Sequence, residues 1–190
     1  MRRILTITLL VLAAAGFASA QPQRGVAGQR TYINKLAPYV ASPVHVVERM
    51  LELARLKPGE TLYDLGAGDG RILITAVNKF KAKAFGVEIS PKLVAEANAN
   101  IQKEGLADQA KVIEGDVMAV DLTGADVVTL YLARPLNEKL RPRLEKFLKA
   151  GARVVSHDYP VPGWKASQTE RAGDRMTHLL FLYEIPATHE

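Results

Sequence analysis

The sequence predicts an α/β fold: a mostly parallel sheet with helices on both faces, closed by an antiparallel hairpin toward the C-terminus. Three observations predict it. From Thr61 onward, short apolar segments alternate with amphipathic ones, the order of strands spaced by crossover helices. The first of these apolar segments runs straight into three closely spaced glycines. With 190 residues, 48% apolar and 24% charged, the chain also has the balance of one globular domain with a substantial core.

The first twenty residues differ in kind. Met1-Arg2-Arg3 is a short basic start, Ile4 to Ala18 is an apolar run, and Ala18-Ser19-Ala20 matches the small-x-small pattern read by signal peptidase. Residues 1–20 are therefore expected to be a cleaved export signal, with Gln21 as the mature N-terminus and a periplasmic destination. The apolar run is short for a bilayer span, so no stable membrane span is expected once the leader is gone. Removing Arg2 and Arg3 lowers the net charge from +5 to +3, too small an excess to imply nucleic-acid binding by bulk charge. The absence of cysteine excludes disulfides, cysteine-ligated zinc and a thiol nucleophile, and no metal site is expected.

Residues 21–38 carry glycines, glutamines and scattered charge without a period, which reads as a flexible arm; the domain spans residues 39–190. Ser42 can cap a helix whose first turn takes Pro43. Val44, Val47, Met50, Leu51 and Ala54 share one face of that helix, and Lys57-Pro58-Gly59 stops it. Thr61–Leu65 reads as a strand, Arg71–Phe80 as a helix, Ala84–Val87 as a strand and Pro91–Gln102 as a helix. Lys111–Glu114 and Asp126–Leu130 are strands, Pro135–Leu148 a helix and Arg153–Ser156 a fifth strand. Lys165 to Glu184 holds no long helix, and His178–Tyr183 is a strand of the closing hairpin.

A strand feeding into glycines and then a helix is the geometry of a nucleotide-binding loop. Glycine lets the backbone turn sharply and approach a ligand, and the helix N-terminus presents unpaired N–H groups. The loop is Asp64-Leu65-Gly66-Ala67-Gly68-Asp69-Gly70, and Arg71 stands where a dinucleotide fingerprint needs its third glycine. That residue disfavours a nicotinamide-dependent oxidoreductase. Three carboxylates accompany the glycines. Asp64 precedes them, Glu88 closes the next strand 24 positions later, and Asp116 follows the third strand in Glu114-Gly115-Asp116-Val117. A carboxylate at the second strand end can accept both ribose hydroxyls of an adenosyl group, and one at the third can accept the adenine amino group.

With these residues the sequence resembles the class I, seven-strand S-adenosylmethionine-dependent methyltransferases, whose sheet is Rossmann-like. The resemblance implies that Asp64, Gly66, Gly68 and Gly70 cradle the methionine end of S-adenosyl-L-methionine, Glu88 holds the ribose, and Asp116 with Val117 holds the adenine. The segment Pro38-Tyr39-Val40-Ala41-Ser42-Pro43, followed by a helix running into Tyr63-Asp64-Leu65-Gly66, is similar to the start of certain protein lysine methyltransferases. These are the mitochondrial enzymes acting on an ATP synthase subunit and the adenine nucleotide translocase, and broad-specificity archaeal enzymes. The resemblance makes Tyr39 and Ser42 candidate cofactor contacts.

The acceptor side is less sharply written. The fourth strand ends in Thr129-Leu130-Tyr131-Leu132-Ala133-Arg134-Pro135, and strand ends in open sheets face the crevice, so Tyr131 borders the transferred methyl. The Asn/Asp-Pro-Pro-aromatic sequence common in enzymes that methylate base amines is absent, and so is a common acidic lysine-acceptor motif at this strand end. Ser156-His157-Asp158-Tyr159 ends the fifth strand, where His157 or Asp158 could accept a proton and Tyr159 or Trp164 could wall an acceptor pocket. The basic residues Lys139, Arg141, Arg143, Lys146 and Lys149 read as a solvated helix face, and His45, His178 and His189 have no motif context. The expected activity is methyl transfer to an amine, with protein lysine as a possible acceptor. An exported module that binds the cofactor without turnover is the alternative.

Overall fold

The structure is a computed structural model that describes residues 39–173 and 177–190. The expected leader and the whole of the expected arm, residues 1–38, lie outside the described residues. Among the described residues, four helices and seven strands follow in the order α1 (Val44–Leu53), β1 (Thr61–Leu65), α2 (Arg71–Phe80), β2 (Lys83–Glu88), α3 (Pro91–Lys103), β3 (Ala110–Glu114), β4 (Val127–Leu130), α4 (Arg134–Phe147), β5 (Arg153–His157), β6 (Gln168–Ala172) and β7 (His178–Glu184).

The strands form one sheet in the order β3-β2-β1-β4-β5-β7-β6. β1 pairs in parallel with β2 and β4, β2 with β3, and β4 with β5; β7 runs antiparallel between β5 and β6. The expected fold class is what forms: a seven-stranded, mostly parallel sheet with a C-terminal antiparallel hairpin. The chain reverses its direction of winding between β1 and β4, and the crevice beyond the C-terminal ends of those strands is the place where such sheets bind ligands.

Strand alternation divides the core in two. Leu62, Ala84, Val112, Val127 and Val155 face α1, α2 and α3 on one side of the sheet. Leu65, Val87, Val128, Leu130 and Val154 face α4 and Trp164 on the other. The same alternation puts Asp64 and Thr129, register partners on β1 and β4, on the α2 side. Glycine is required on β2, where a Cβ on Gly86 would lie 2.6 Å from the Ala67 Cβ and 2.9 Å from Val112 Cγ2.

Two expectations about α1 change. Its buried face is Val46, Val47, Met50, Leu51 and Leu53, whereas Val44 is exposed. Ser42 does not cap it: Pro43 occupies the N-cap position without a side-chain hydrogen bond, and the Ser42 hydroxyl turns inward. On α4, Arg141 and Arg143 donate to the carbonyls of Pro162 and Val120, so that basic row is only partly a solvated face. Among the described residues, no helix is long and apolar enough to cross a membrane.

Candidate active site

A cleft of about 470 Å³ opens beyond the C-terminal ends of β1, β2 and β4, a size typical of small-molecule sites. Asp64, Gly66, Glu88, Asp116, Val117, Tyr39, Ser42 and Tyr131 all line it. Gly68 and Gly70 lie just outside that wall. The Tyr39 ring covers Gly68 so closely that a Cβ there would be 2.3 Å from Cε2, and Gly70 lets α2 start against Ala97. All three loop glycines have positive φ, at +91°, +54° and +82°, which suits residues without a Cβ.

Each carboxylate is held by its strand end. Asp64 is fully buried at the cleft floor, where Oδ1 accepts the Thr129 hydroxyl at 2.8 Å and Oδ2 has no partner. Burial pushes its pKa up to about 7, against the Thr129 hydrogen bond and with the help of Glu88 and Asp69. Glu88 accepts the Gly68 N–H at 3.0 Å with Oε2 and the Ser90 N–H at 2.9 Å with Oε1, so it ties the glycine loop to the start of α3. Asp116 accepts the Met118 N–H at 2.9 Å, the turn geometry that sets Val117 against the cleft.

The segment before α1 folds over the loop, and the residue that fastens it is Arg71. Its guanidinium grips the Asp69 carboxylate at 2.6 Å and donates to the Ser42 carbonyl at 2.9 Å. Burial alone would raise the Asp69 pKa, but the hydrogen bonds and charge of Arg71 outweigh it and hold the carboxyl below its usual range. Arg71 had been informative only as a missing glycine. Its positive role needs the fold, because Ser42 is distant in sequence.

Beside the cleft mouth stands a polar cluster. Tyr131 stacks on His157, with ring centroids 3.9 Å apart, and its hydroxyl donates to Asp158 Oδ2 at 3.3 Å. His157 does not reach the cleft wall. It is fully buried behind Tyr131, with Nδ1 at 2.9 Å from the Ser42 hydroxyl and Nε2 at 2.9 Å from His178 Nδ1. Burial lowers its pKa to about 4, so it is neutral at pH 7. Asp158 has positive φ, accepts the Leu179 N–H and sits below the usual carboxylate range, because its hydrogen bonds outweigh burial. Burial and then the charge of Asp158 push Tyr131 up to about 12, which keeps its hydroxyl protonated.

Tyr159 is exposed and lies 6.3 Å from the Tyr131 ring. Trp164 does not wall a pocket, as its position after β5 had suggested. It is buried against Tyr183, and its indole N–H donates to Glu145 at 2.7 Å. Asp126 accepts the Thr61 N–H and pairs with Lys149, away from the cleft.

Residues 64–168 match the model of the ANTKMT methyltransferase domain. The chain belongs to this methyltransferase family. A protein-lysine N-methyltransferase of Saccharolobus islandicus (strain REY15A) is 46% identical over 150 residues, covering 78% of this chain and 93% of that one. The adenine nucleotide translocase lysine N-methyltransferase of Mus musculus is 34% identical over 137 residues, 72% of this chain but 59% of that enzyme's length. Among solved structures, an RNA methyltransferase from Salinibacter ruber in complex with S-adenosyl-L-homocysteine is 42% identical, with a TM-score of 0.73, over 77% of this chain and 94% of that one. The methyltransferase described here uses S-adenosylmethionine, and its cleft fits that group. The unpartnered Asp64 oxygen offers an acceptor at the floor, and Glu88 and Asp116 stand at successive strand ends beside apolar Leu93 and Val117.

Proposed function

We propose that the enzyme transfers the methyl group to the ε-amine of protein lysines. The observation that carries the reading is the cleft's composition at its mouth: Tyr131, Leu132, Ala133 and Leu136 make an apolar and aromatic wall next to the donor-binding carboxylates. In our reading Asp64, Gly66, Gly68 and Gly70 hold the methionine end, Glu88 the ribose, and Asp116 with Val117 the adenine. Tyr39 and Ser42 close over them. When bound, S-adenosylmethionine supplies a methyl on a sulfonium, already activated for displacement.

The chain's own task is then to align an amine and exclude water. A lysine must first lose a proton, which costs roughly 4–5 kcal/mol at neutral pH from a reference pKa near 10.4. An apolar wall lowers that cost, because desolvation disfavours the ammonium form. The protonated Tyr131 presents its neutral ring and can still attract a cationic acceptor through its face. His157 and Asp158 act through Tyr131, one stacking on it and one receiving its hydroxyl, and so serve as positioning residues.

Similarity to protein-lysine enzymes supports the lysine reading, as does the small positive charge excess, which gives a polyanion little to bind. The test is a transfer assay with deuteromethyl-labelled S-adenosylmethionine, offering lysine-rich proteins and total RNA in separate reactions. Label on lysine side chains is expected. Label in RNA alone, the acceptor named for the Salinibacter ruber protein, would replace the lysine reading while leaving the methyltransferase intact. Export of the chain is a further proposal, resting on Ala18-Ser19-Ala20 and the apolar run before it.

A further inference from the structure

We propose that His157, His178 and Asp158 form a binding site for one divalent transition-metal ion of the zinc class. The three residues come from the end of β5 and the start of β7, which lie side by side in the sheet. Three atoms face one another: His157 Nε2 and His178 Nδ1 at 2.9 Å, His178 Nδ1 and Asp158 Oδ2 at 3.1 Å, and His157 Nε2 and Asp158 Oδ2 at 3.4 Å. With metal–ligand bonds of about 2.1 Å, ligand atoms sit about 3.0 Å apart on an octahedral edge and about 3.4 Å apart on a tetrahedral one. The three observed edges lie within about 0.1 Å of that range, so a single ion can reach all three atoms.

No pair of neutral tautomers gives every edge of the triangle its own hydrogen bond. A neutral imidazole carries one N–H. If the His157 proton is on Nδ1 and is donated to Ser42, then Nε2 presents a lone pair, and His178 Nδ1–H must serve both other corners. Nε2 of His157 then faces the Asp158 carboxylate as acceptor to acceptor. If the proton is on Nε2 instead, the lone pair of His178 Nδ1 faces that carboxylate at 3.1 Å. With N–H on both facing nitrogens the 2.9 Å edge instead sets donor against donor, so one edge is left unsatisfied in every case, whereas a central cation is met by a lone pair at each corner.

The surroundings have the arrangement of a metal centre. The Ser42 hydroxyl at 2.9 Å from His157 Nδ1 fixes the ring and leaves Nε2 to point at the triangle, as outer partners of metal-ligating histidines do. Leu179 N–H holds the other Asp158 oxygen at 2.9 Å. The Asp158 side chain is 27% exposed, which leaves a path for the ion and room for water in the remaining coordination positions. Two imidazoles and a carboxylate suit zinc and its transition-metal neighbours better than calcium or magnesium. The bound ion would join β5 to β7 and fix the base on which Tyr131 stands. The donor set is spread over 21 positions without a short motif, which hid it from the sequence pattern.

The test uses the full chain, free of any affinity tag and stripped with chelator, with zinc chloride and cobalt(II) chloride as probes. Calorimetry should show one zinc ion per chain, and cobalt should give a visible ligand-field spectrum. His178→Ala should weaken zinc binding roughly tenfold or more, while a His45→Ala/His189→Ala double variant should bind as the native chain does. S-adenosylhomocysteine binding by the same proteins reports folding independently of the metal. Should His178→Ala fail that control, X-ray absorption of the zinc-loaded native chain decides, with a two-imidazole shell expected. No zinc binding by the native chain, zinc binding undiminished in folded His178→Ala, or a shell without two imidazoles would overturn the proposal.

Discussion

A buried carboxyl with a pKa of about 7 and one unpartnered oxygen makes Asp64 the most informative residue of the site. Its folded pKa lies above the ordinary 3.8, so the fold prefers the protonated form. Its contribution to stability is therefore fully present below about pH 4 and is lost as pH rises through 7. In the proposed site ligand binding reverses the preference, because a cationic methionine end beside Asp64 recruits the ionised form. The Kd for S-adenosylmethionine should be roughly tenfold weaker at pH 6 than at pH 8, and Asp64→Asn should weaken binding and flatten that profile. Calorimetry across the pH range checks both; a flat profile in the native chain would remove Asp64 from the ligand's contacts. At the other end of the cleft, Tyr131→Phe keeps the stacked ring and removes the hydroxyl. We expect a lower kcat with little change in donor affinity, and unchanged turnover would leave the hydroxyl without a part in positioning.

At the scale of the element, β2 constrains the loop from the sheet side. Gly86→Ala would press a methyl into Ala67, Val112 and Leu73, at 2.6, 2.9 and 3.3 Å. Overpacking of this kind costs about 1–3 kcal/mol, and denaturant unfolding should show it. On the opposite face, Leu140→Ala empties a fully buried position of α4 and should cost about 2–5 kcal/mol by the same measurement. The alternation of elements was legible because the strands from β1 to β5 are compact apolar-rich runs and each helix has a stripe, whereas β6, Gln-Thr-Glu-Arg-Ala, offers no such run and its bounds come only from the fold. The three carboxylates were legible because they close strands. Val44 was misplaced because the helix begins one turn earlier in the pattern than its buried face. Ser42 looked like a cap in a capping position, yet its partner is His157, 115 positions away. Trp164 was misread because a turn after a strand can lead into the core as readily as to the crevice, and only the fold shows Glu145 waiting for its N–H. Local pattern does not encode the Arg71 clasp or the His157–His178 contact, both of which are made by tertiary packing.

The whole molecule combines a donor cleft at the β1/β4 reversal with a cluster that joins β4, β5 and β7 through Tyr131, His157, Asp158 and His178. The family shows that the chain uses S-adenosylmethionine, and we propose the first as its site. In the proposed mechanism the second acts on the acceptor through Tyr131, which lines the cleft. The proposal of export predicts a native N-terminus at Gln21, which intact-mass measurement of the chain from its source cell would read directly; a retained Met1 would exclude cleavage. Methyl transfer to lysine is read most directly by tandem mass spectrometry of a lysine-rich protein after incubation with the enzyme and S-adenosylmethionine. Lysine side chains heavier by whole methyl groups are expected, with one S-adenosylhomocysteine released per methyl and far less of either from Asp64→Asn. S-adenosylhomocysteine formed without any modified lysine, or no turnover at all with an enzyme that binds the donor, would contradict it.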